Sequence, residues 1–309
     1  MKDIIVVAGP TAVGKTQYAI ELAKALDGEI VSCDSMQLYK YMDIGSAKPT
    51  AEELAQAKHY LVDDIDPRRP FSVAEYQKMA SAAIREIHEK GKPAIISGGT
   101  GLYLNSLLYE MDFGADVADD GYRKELEDFA AEQGAEALHA RLAEKDPAAA
   151  ERIHPNNIKK VIRALEAVEK GGKAIRPFTE VQKENPLYRP FLIGLTRDRQ
   201  ELYDRINMRV DILMQQGLLE EVTGLFEMGL TEDNISMKGI GYKEIIQHLK
   251  GEYTLEEAVD KNKQNTRHYA KRQLTWFRRY EKMNWFDLST YDSTESALED
   301  MLEWLRKSR

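Results

Sequence analysis

A single cysteine, Cys33, stands among the 309 residues, which excludes an intramolecular disulfide framework and a cysteine-built zinc site and points to a reducing compartment. No segment approaches the ~20 apolar residues that a membrane span requires. The N-terminus has no basic region ahead of its apolar run, and that run is only a strand's length. A cytoplasmic protein without membrane association is expected. A formal net charge of -9 excludes an indiscriminate nucleic-acid binder, so any nucleic-acid site must be a local basic patch. No His-Glu metal spacing, Ser-His-Asp set or fixed-period repeat emerges. What remains is a globular chain whose 43% hydrophobic content is ample for a core, in one large or two medium domains.

Short apolar runs at Ile4 to Ala8, Glu29 to Ser32, Pro93 to Ser97 and Phe191 to Leu195 read as core strands, with Tyr60 to Asp64 as a further candidate. Helical stretches separate the first three, and this β-α-β order makes an α/β fold with a mainly parallel sheet the economical solution. Ser72 followed three places on by Glu75 is a capping box. It opens a helix to about Lys90, where Gly91 and Pro93 stop it. From about Asp112 to Pro190 the strand signal vanishes, and helical runs follow at Tyr122 to Gln133, Ala135 to Lys145 and Ile158 to Lys170. The expected organisation is an α/β core of residues 1-111 and 191-309, interrupted by a helical insertion of residues 112-190. Gly171, Gly172, Pro177 and Pro186 mark a flexible exit from the insertion. Beyond Phe191, helices are expected at Arg199 to Gln216, Leu218 to Met228, Lys243 to Lys250 and Leu255 to Tyr280, then a strand at Asn284 to Leu288 and a closing helix.

Gly9-Pro10-Thr11-Ala12-Val13-Gly14-Lys15-Thr16 follows the first strand and leads into a helix former, the order of a P-loop. Glycine lets backbone amides curl around oxyanions, and the helix N-terminus adds about half a positive charge. Lys15 reaches further phosphate oxygens and the Thr16 hydroxyl can ligate Mg²⁺. The ligand is a diphosphate or polyphosphate; whether the loop also binds a nucleotide such as ATP stays open. Asp34, in Cys33-Asp34-Ser35-Met36-Gln37, falls at the carboxyl end of the second strand, where open α/β sheets bind ligands. An aspartate there also suits the capping of a turn. Ser97-Gly98-Gly99-Thr100-Gly101 follows the third strand at the same edge without the acidic residue a nucleotide hydrolase places nearby. Thr100 equally suits an N-cap.

Arg205 and Arg209 share a helix face at i,i+4 and suit phosphate clamping, or a solvated ion-pair face with Glu201 or Asp204. From Lys261 to Lys282 the chain is locally basic, with His268, Tyr269, Trp276, Phe277 and Tyr280 between the cations. Such interleaving fits bases stacked on rings and cations on backbone phosphates, or a basic amphipathic helix whose aromatics are core. Lys159, Lys160 and Arg163, after His154-Pro155-Asn156-Asn157, form a smaller cluster. Asp63-Asp64-Ile65-Asp66, followed by Pro67 and two arginines, reads as an acidic loop rather than a Mg²⁺-diphosphate cluster.

Together, Gly9 to Thr16, Asp34 to Lys40 with Met42 to Pro49, Gly98 to Tyr103, His154 to Asn157, Arg163 to Glu166, Ile240 to Glu244 and Thr266 to Trp276 resemble the tRNA dimethylallyltransferases over nearly the whole chain. The resemblance implies transfer of a dimethylallyl group from dimethylallyl diphosphate to the exocyclic amine of the adenosine on the 3′ side of the tRNA anticodon, releasing diphosphate. It implies that Gly9, Pro10, Thr11, Ala12, Val13, Gly14, Lys15 and Thr16 hold the diphosphate, that Thr16 helps coordinate Mg²⁺, that Asp34 accepts the amine proton and that Arg209 neutralises leaving-group charge. Implied contacts to the anticodon stem-loop are Asp34, Ser35, Met36, Gln37, Thr100, Arg123, Lys159, Lys160, Val161, Ile162, Arg163, Arg267 and Lys271. Met36 replaces a frequent arginine, and Lys159-Lys160 a frequent Gln-Arg, so individual tRNA contacts differ from the common pattern. No cysteine-histidine zinc module is present, which matches a bacterial type acting as a monomer.

The chemistry agrees with the resemblance. An adenine amine is a poor nucleophile, so the allylic carbon must be made electrophilic by stabilising the departing diphosphate. Asp34 need not be a strong base, since the amine grows acidic as the new bond forms. Other readings are an adenylate isopentenyltransferase with a free nucleotide acceptor, a P-loop kinase, and a non-catalytic nucleotide-gated RNA-binding module. The helical insertion and the basic helix favour the larger acceptor.

Overall fold

The computed structural model describes residues 1-111, 120-170 and 183-308. Gly171, Gly172 and Pro177, expected to mark a flexible exit, lie outside them. The chain divides into two compact units, Met1–Leu108 with Asn185–Arg309, and Tyr109–Glu184.

The first unit is built on a parallel sheet of β1 (Lys2–Ala8), β2 (Glu29–Ser32), β3 (His59–Tyr60), β4 (Ala94–Gly98), β5 (Tyr188–Thr196) and β6 (Asn284–Asp287), in the order β3-β2-β4-β1-β5-β6. Helices on both faces bury such a sheet, so its central strands are continuously apolar. Ile4 to Ala8 are all buried accordingly. Pairing of Ile5 with both Ile95 and Phe191 sets the register of the three central strands. β5 begins earlier than the sequence suggests, because Tyr188 to Pro190 pair with Lys2 to Ile4. These residues are therefore sheet, not insertion. The strand expected over Tyr60 to Asp64 stops at Tyr60, since Leu61 and Asp63 both take a left-handed φ of 61°, which an extended strand cannot contain.

The helices of this unit are α1 (Lys15–Leu26), α2 (Ala51–Gln56), α3 (Val73–Glu89) and α4 (Gly101–Leu108), and after the insertion α9 (Arg199–Gln215), α10 (Leu218–Glu227), α11 (Tyr242–Leu249), α12 (Leu255–Phe277) and α13 (Thr294–Ser308). The capping box at Ser72 and Glu75 starts α3. A second box, Thr50 with Glu53, starts the unforeseen α2. Ile5, Val7, Ile20, Ile95 and Ile193 lie in the core where α1 meets the sheet.

The second unit is helical: α5 (Asp120–Gln133), α6 (Ala135–Lys145), α7 (Pro147–Arg152) and α8 (Ile158–Glu169) surround Leu126, Leu138, Leu142, Val161 and Leu165. Asp146 caps α7 by accepting from Ala149 N at 2.9 Å, with Pro147 in the first turn where its missing N–H costs nothing. Among the described residues no helix is long and apolar enough to cross a membrane.

Candidate active site

A parallel sheet delivers the carboxyl ends of all its strands to one edge. β1 ends into Gly9 to Thr16, β2 into Cys33 and Asp34, β4 into Gly99 and Thr100, and β5 into Arg197. The loop runs through Ala12 at φ 63° and Gly14 at φ 114°, and a left-handed alanine costs on the order of 1 kcal/mol or more. Two arginines hold that turn from outside: Arg205 Nε donates to the Ala12 carbonyl and Arg197 Nε to the Val13 carbonyl, each at 3.0 Å. Arg205 has a role that the sequence did not suggest, because its Nε ties down the loop backbone. The ion pair on this face belongs to Arg197 and Glu201, at 2.5 Å.

Lys15 folds back so that Nζ donates to the Pro10 carbonyl at 2.8 Å. Burial pushes its ammonium down to about 8, against the Asp34 carboxylate, which supports the charge, and with the nearby Arg209 adding to the fall. Burial likewise lowers Arg209, again opposed by Asp34. Asp34 therefore lies within electrostatic range of both cations, at the sheet edge where the loop begins. Its Oδ1 accepts from Met36 N at 2.9 Å and Gln37 N at 3.4 Å, the turn-capping role, while Oδ2 has no hydrogen-bond partner among the described residues. The turn-capping reading of Asp34 is met by Oδ1, and Oδ2 is left for other partners. Arg209 and the Thr16 hydroxyl likewise make no hydrogen bond or ion pair among the described residues.

The second glycine turn packs directly on the Asp34 segment. Cys33 N donates to Ser97 O at 2.7 Å and Thr100 N to Cys33 O at 3.1 Å, so a Cβ on Gly98 would stand 2.1 Å from the Cys33 carbonyl oxygen. The Thr100 hydroxyl accepts from Ser35 N at 3.0 Å and also meets the Tyr269 hydroxyl. It joins two turns instead of capping α4. Tyr269 is raised by burial and then by Asp34. Burial pushes the neighbouring Cys33 thiol up to about 12, so the thiol stays protonated and unreactive near neutral pH.

Several expected tRNA contacts are engaged within the protein. Gln37 accepts from Ser32 Oγ and donates to Ala47 O, both at 3.2 Å, and the Met36 side chain packs on Gly239. In the second unit Val161 and Ile162 are 0% and 4% exposed; they face its core, so their side chains cannot touch an RNA. Arg123 is bound to the buried Glu166 at 2.8 Å, which also places the Glu166 of Arg163-Ala164-Leu165-Glu166. Lys159, Lys160 and Arg163 are exposed. Lys271 and Arg272 on α12, and Arg278 and Arg279 just beyond it, are exposed, whereas Arg267 donates to Asn207 Oδ1 at 2.5 Å and Lys263 pairs with Asp211 at 2.6 Å. Phe277 and Tyr280, 1% and 4% exposed, are core rather than stacking platforms. Asp63 pairs with Lys48, in keeping with an acidic loop, and no group of metal-ligating His, Cys, Asp or Glu gathers among the described residues.

Sequence reasoning missed Glu221 and Gln273. Glu221 accepts from the backbone N–H of Asp43, Ile44 and Gly45 at 2.7, 2.7 and 3.0 Å and from the Tyr242 hydroxyl at 2.8 Å. That single carboxylate orders the Met42 to Pro49 segment and accounts for the tyrosine in Ile240 to Glu244. Gln273 accepts from Thr11 N and donates to Gly99 O, each at 2.9 Å. Its signal was a polar residue on the face of α12 that also carries the buried Ala270 and Phe277.

Known proteins are similar to this chain in sequence and fold. The IPP transferase family model matches residues 37–280. The chain is 53% identical over 302 residues to a tRNA dimethylallyltransferase of Alkaliphilus oremlandii, covering 98% of this chain and 96% of the relative. A tRNA dimethylallyltransferase of Clostridioides difficile is 51% identical over 305 residues, covering 99% and 98%. Among solved structures, the tRNA isopentenylpyrophosphate transferase of Bacillus halodurans matches with a TM-score of 0.75 at 44% identity, over 99% of this chain and 96% of that one. A eukaryotic dimethylallyltransferase acting on tRNA matches with a TM-score of 0.84 at 27% identity, over 99% and 80%.

Proposed function

The chain belongs to the IPP transferase family, the tRNA dimethylallyltransferases, and from that premise we propose that it transfers a dimethylallyl group from dimethylallyl diphosphate to the exocyclic amine of the adenosine 3′ to the anticodon. The supporting observation is the Asp34 carboxylate, with one oxygen free of hydrogen bonds, set within electrostatic range of Lys15 and Arg209 beside the phosphate loop. The donor's diphosphate lies in the loop amides at the α1 N-terminus. Lys15 and Arg209 stabilise the charge that grows as the carbon-oxygen bond breaks, an effect strengthened by fixed placement in a desolvated site. The target base leaves its stack at a cost of a few kcal/mol, and its amine approaches the allylic carbon from the side opposite the leaving group. Asp34 Oδ2 takes the proton as that amine turns acidic.

The residues present suit a magnesium ion: the Thr16 hydroxyl makes no hydrogen bond among the described residues and would help to hold it. When bound, the ion would supply Lewis-acid stabilisation of the departing diphosphate. Exposed Lys159, Lys160 and Arg163 of the second unit and Lys271 of α12 contact tRNA phosphates. Action as a monomer is part of this reading, and the free buried Cys33 is in keeping with the cytoplasm.

Incubating the protein and unmodified tRNA with labelled dimethylallyl diphosphate, or in parallel with γ-labelled ATP, tests the proposal. Label should enter tRNA from the prenyl donor alone. Phosphate transfer from ATP would replace this reading with a P-loop kinase, and prenylation of free adenine nucleotides in preference to tRNA would replace it with the smaller-acceptor enzyme.

A further inference from the structure

We infer that Gln273 is a positioning residue for group transfer, a single buried amide that holds the donor's phosphate loop in register with the turn that carries the acceptor's base. The inference rests on the proposed function and adds to it a residue that touches neither substrate.

Gln273 is 5% exposed, and both ends of its amide are engaged by backbone, Oε1 accepting from Thr11 N and Nε2 donating to Gly99 O at 2.9 Å each. The amide cannot be reversed, because Thr11 N–H only donates and the Gly99 carbonyl only accepts. The site is shaped for it: a Cβ on Gly99 would lie 2.2 Å from Gln273 Nε2, and one on Gly101 would lie 2.3 Å from the Trp276 ring on the next turn of α12.

Each end of the clamp is a short step from a reacting group. Thr11 N belongs to the Pro10-Thr11 peptide, whose Pro10 carbonyl accepts the Lys15 ammonium. On the far side, Gly99 precedes Thr100, whose hydroxyl accepts from Ser35 N, next to Asp34. A path of hydrogen bonds joined by short covalent steps therefore links the cation that faces the leaving group to the carboxylate that faces the amine, and Gln273 is its one side-chain amide. Removing it leaves a buried donor and a buried acceptor unmet and frees the two turns to drift. A displacement of about 1 Å between reacting groups costs about 10²-fold in rate.

The glutamate variant gives a test that mere structural support would not pass. Ionised, Gln273→Glu turns two lone pairs toward the Gly99 carbonyl; protonated, it donates to that carbonyl and still accepts from Thr11 N. Burial and the neighbouring Asp34 favour the protonated form, while Lys15 opposes it. Prenyl transfer by Gln273→Glu, expressed as a ratio to wild type at each pH, should therefore rise as pH falls from about 8 to about 6. Titration of Lys15 occurs in both proteins and cancels in that ratio to first order. Gln273→Ala should lower kcat about 10²-fold at every pH, with tRNA affinity changed by less than about twofold.

A flat ratio for Gln273→Glu across the pH range overturns the inference. So does a loss of kcat in Gln273→Ala matched by an equal loss of tRNA affinity. If Gln273→Ala does not fold, the glutamate ratio alone decides. If wild type itself transfers no prenyl group, the proposed function fails instead, and the two failures are told apart by that control.

Discussion

Lys15 serves two requirements that oppose each other. Its ammonium must be crowded enough to act strongly on a leaving group, yet crowding favours loss of the proton, and burial brings it to about 8. The cation persists below that value and is lost as pH rises through it. Affinity of the free protein for inorganic diphosphate should therefore fall between about pH 7 and 9, relative to a Lys15→Met variant in which only the ligand titrates. Calorimetric titration at several pH values checks this, and parallel wild-type and variant curves would refute it. Asp34→Asn should keep the turn, since an amide oxygen can still accept from Met36 N, while removing the proton acceptor. We expect kcat to drop about 10²- to 10⁴-fold with tRNA affinity intact; equal losses in both would show that Asp34 grips the substrate instead. Asp34 and Lys15 were legible because a loop motif and a strand's carboxyl end locate them. Gln273 and Glu221 were not, because their partners are chiefly backbone groups, which leave no mark on residue type.

At the scale of elements, α8 shows how one short segment divides between two tasks. Lys159, Lys160 and Arg163 face solvent, while Val161 and Ile162 between them fill the core of their unit. Val161→Ala should lower the stability of that unit by about 2 kcal/mol, measured by denaturant unfolding. The combined alanine variant of Lys159, Lys160 and Arg163 should change stability little and reduce the slope of log tRNA affinity against log salt by about 0.7 to 0.9 for each phosphate no longer neutralised. An unchanged slope would remove α8 from the interface. A neighbour pattern read in one dimension merged these tasks, because the resemblance supplies a segment, whereas helical periodicity sorts it by face. Phe277 at the end of α12 and Tyr280 just beyond it take the core alternative that the sequence left open. Helix starts were readable where a capping residue stood alone before an apolar run, as at Ser72, and α2 went unseen although Thr50 and Glu53 carry the same signature.

For the whole molecule, the parallel sheet is what gathers the site. Residues as far apart in sequence as Lys15, Asp34, Thr100 and Arg209 meet because three strand ends and one helix share an edge. That much followed from four apolar runs and their intervening helices. The start of β5 did not, since Tyr188, Arg189 and Pro190 lack the apolar signature and are recruited by pairing with Lys2 to Ile4. Close packing at this edge also leaves little tolerance: Gly98→Ala should destabilise the fold by about 1 to 3 kcal/mol, because its Cβ would meet a carbonyl oxygen rather than a movable side chain. Thermal unfolding checks it, and a wild-type transition would contradict the geometry. The most direct measurement of the central claim is mass-spectrometric nucleoside analysis of unmodified tRNA after reaction with the protein, dimethylallyl diphosphate and Mg²⁺. The expected result is a dimethylallyl group on the exocyclic nitrogen of the adenosine 3′ to the anticodon, formed at least about 10²-fold more slowly by Asp34→Asn. Unmodified adenosine with wild-type protein, or modification that persists undiminished in Asp34→Asn, would contradict it.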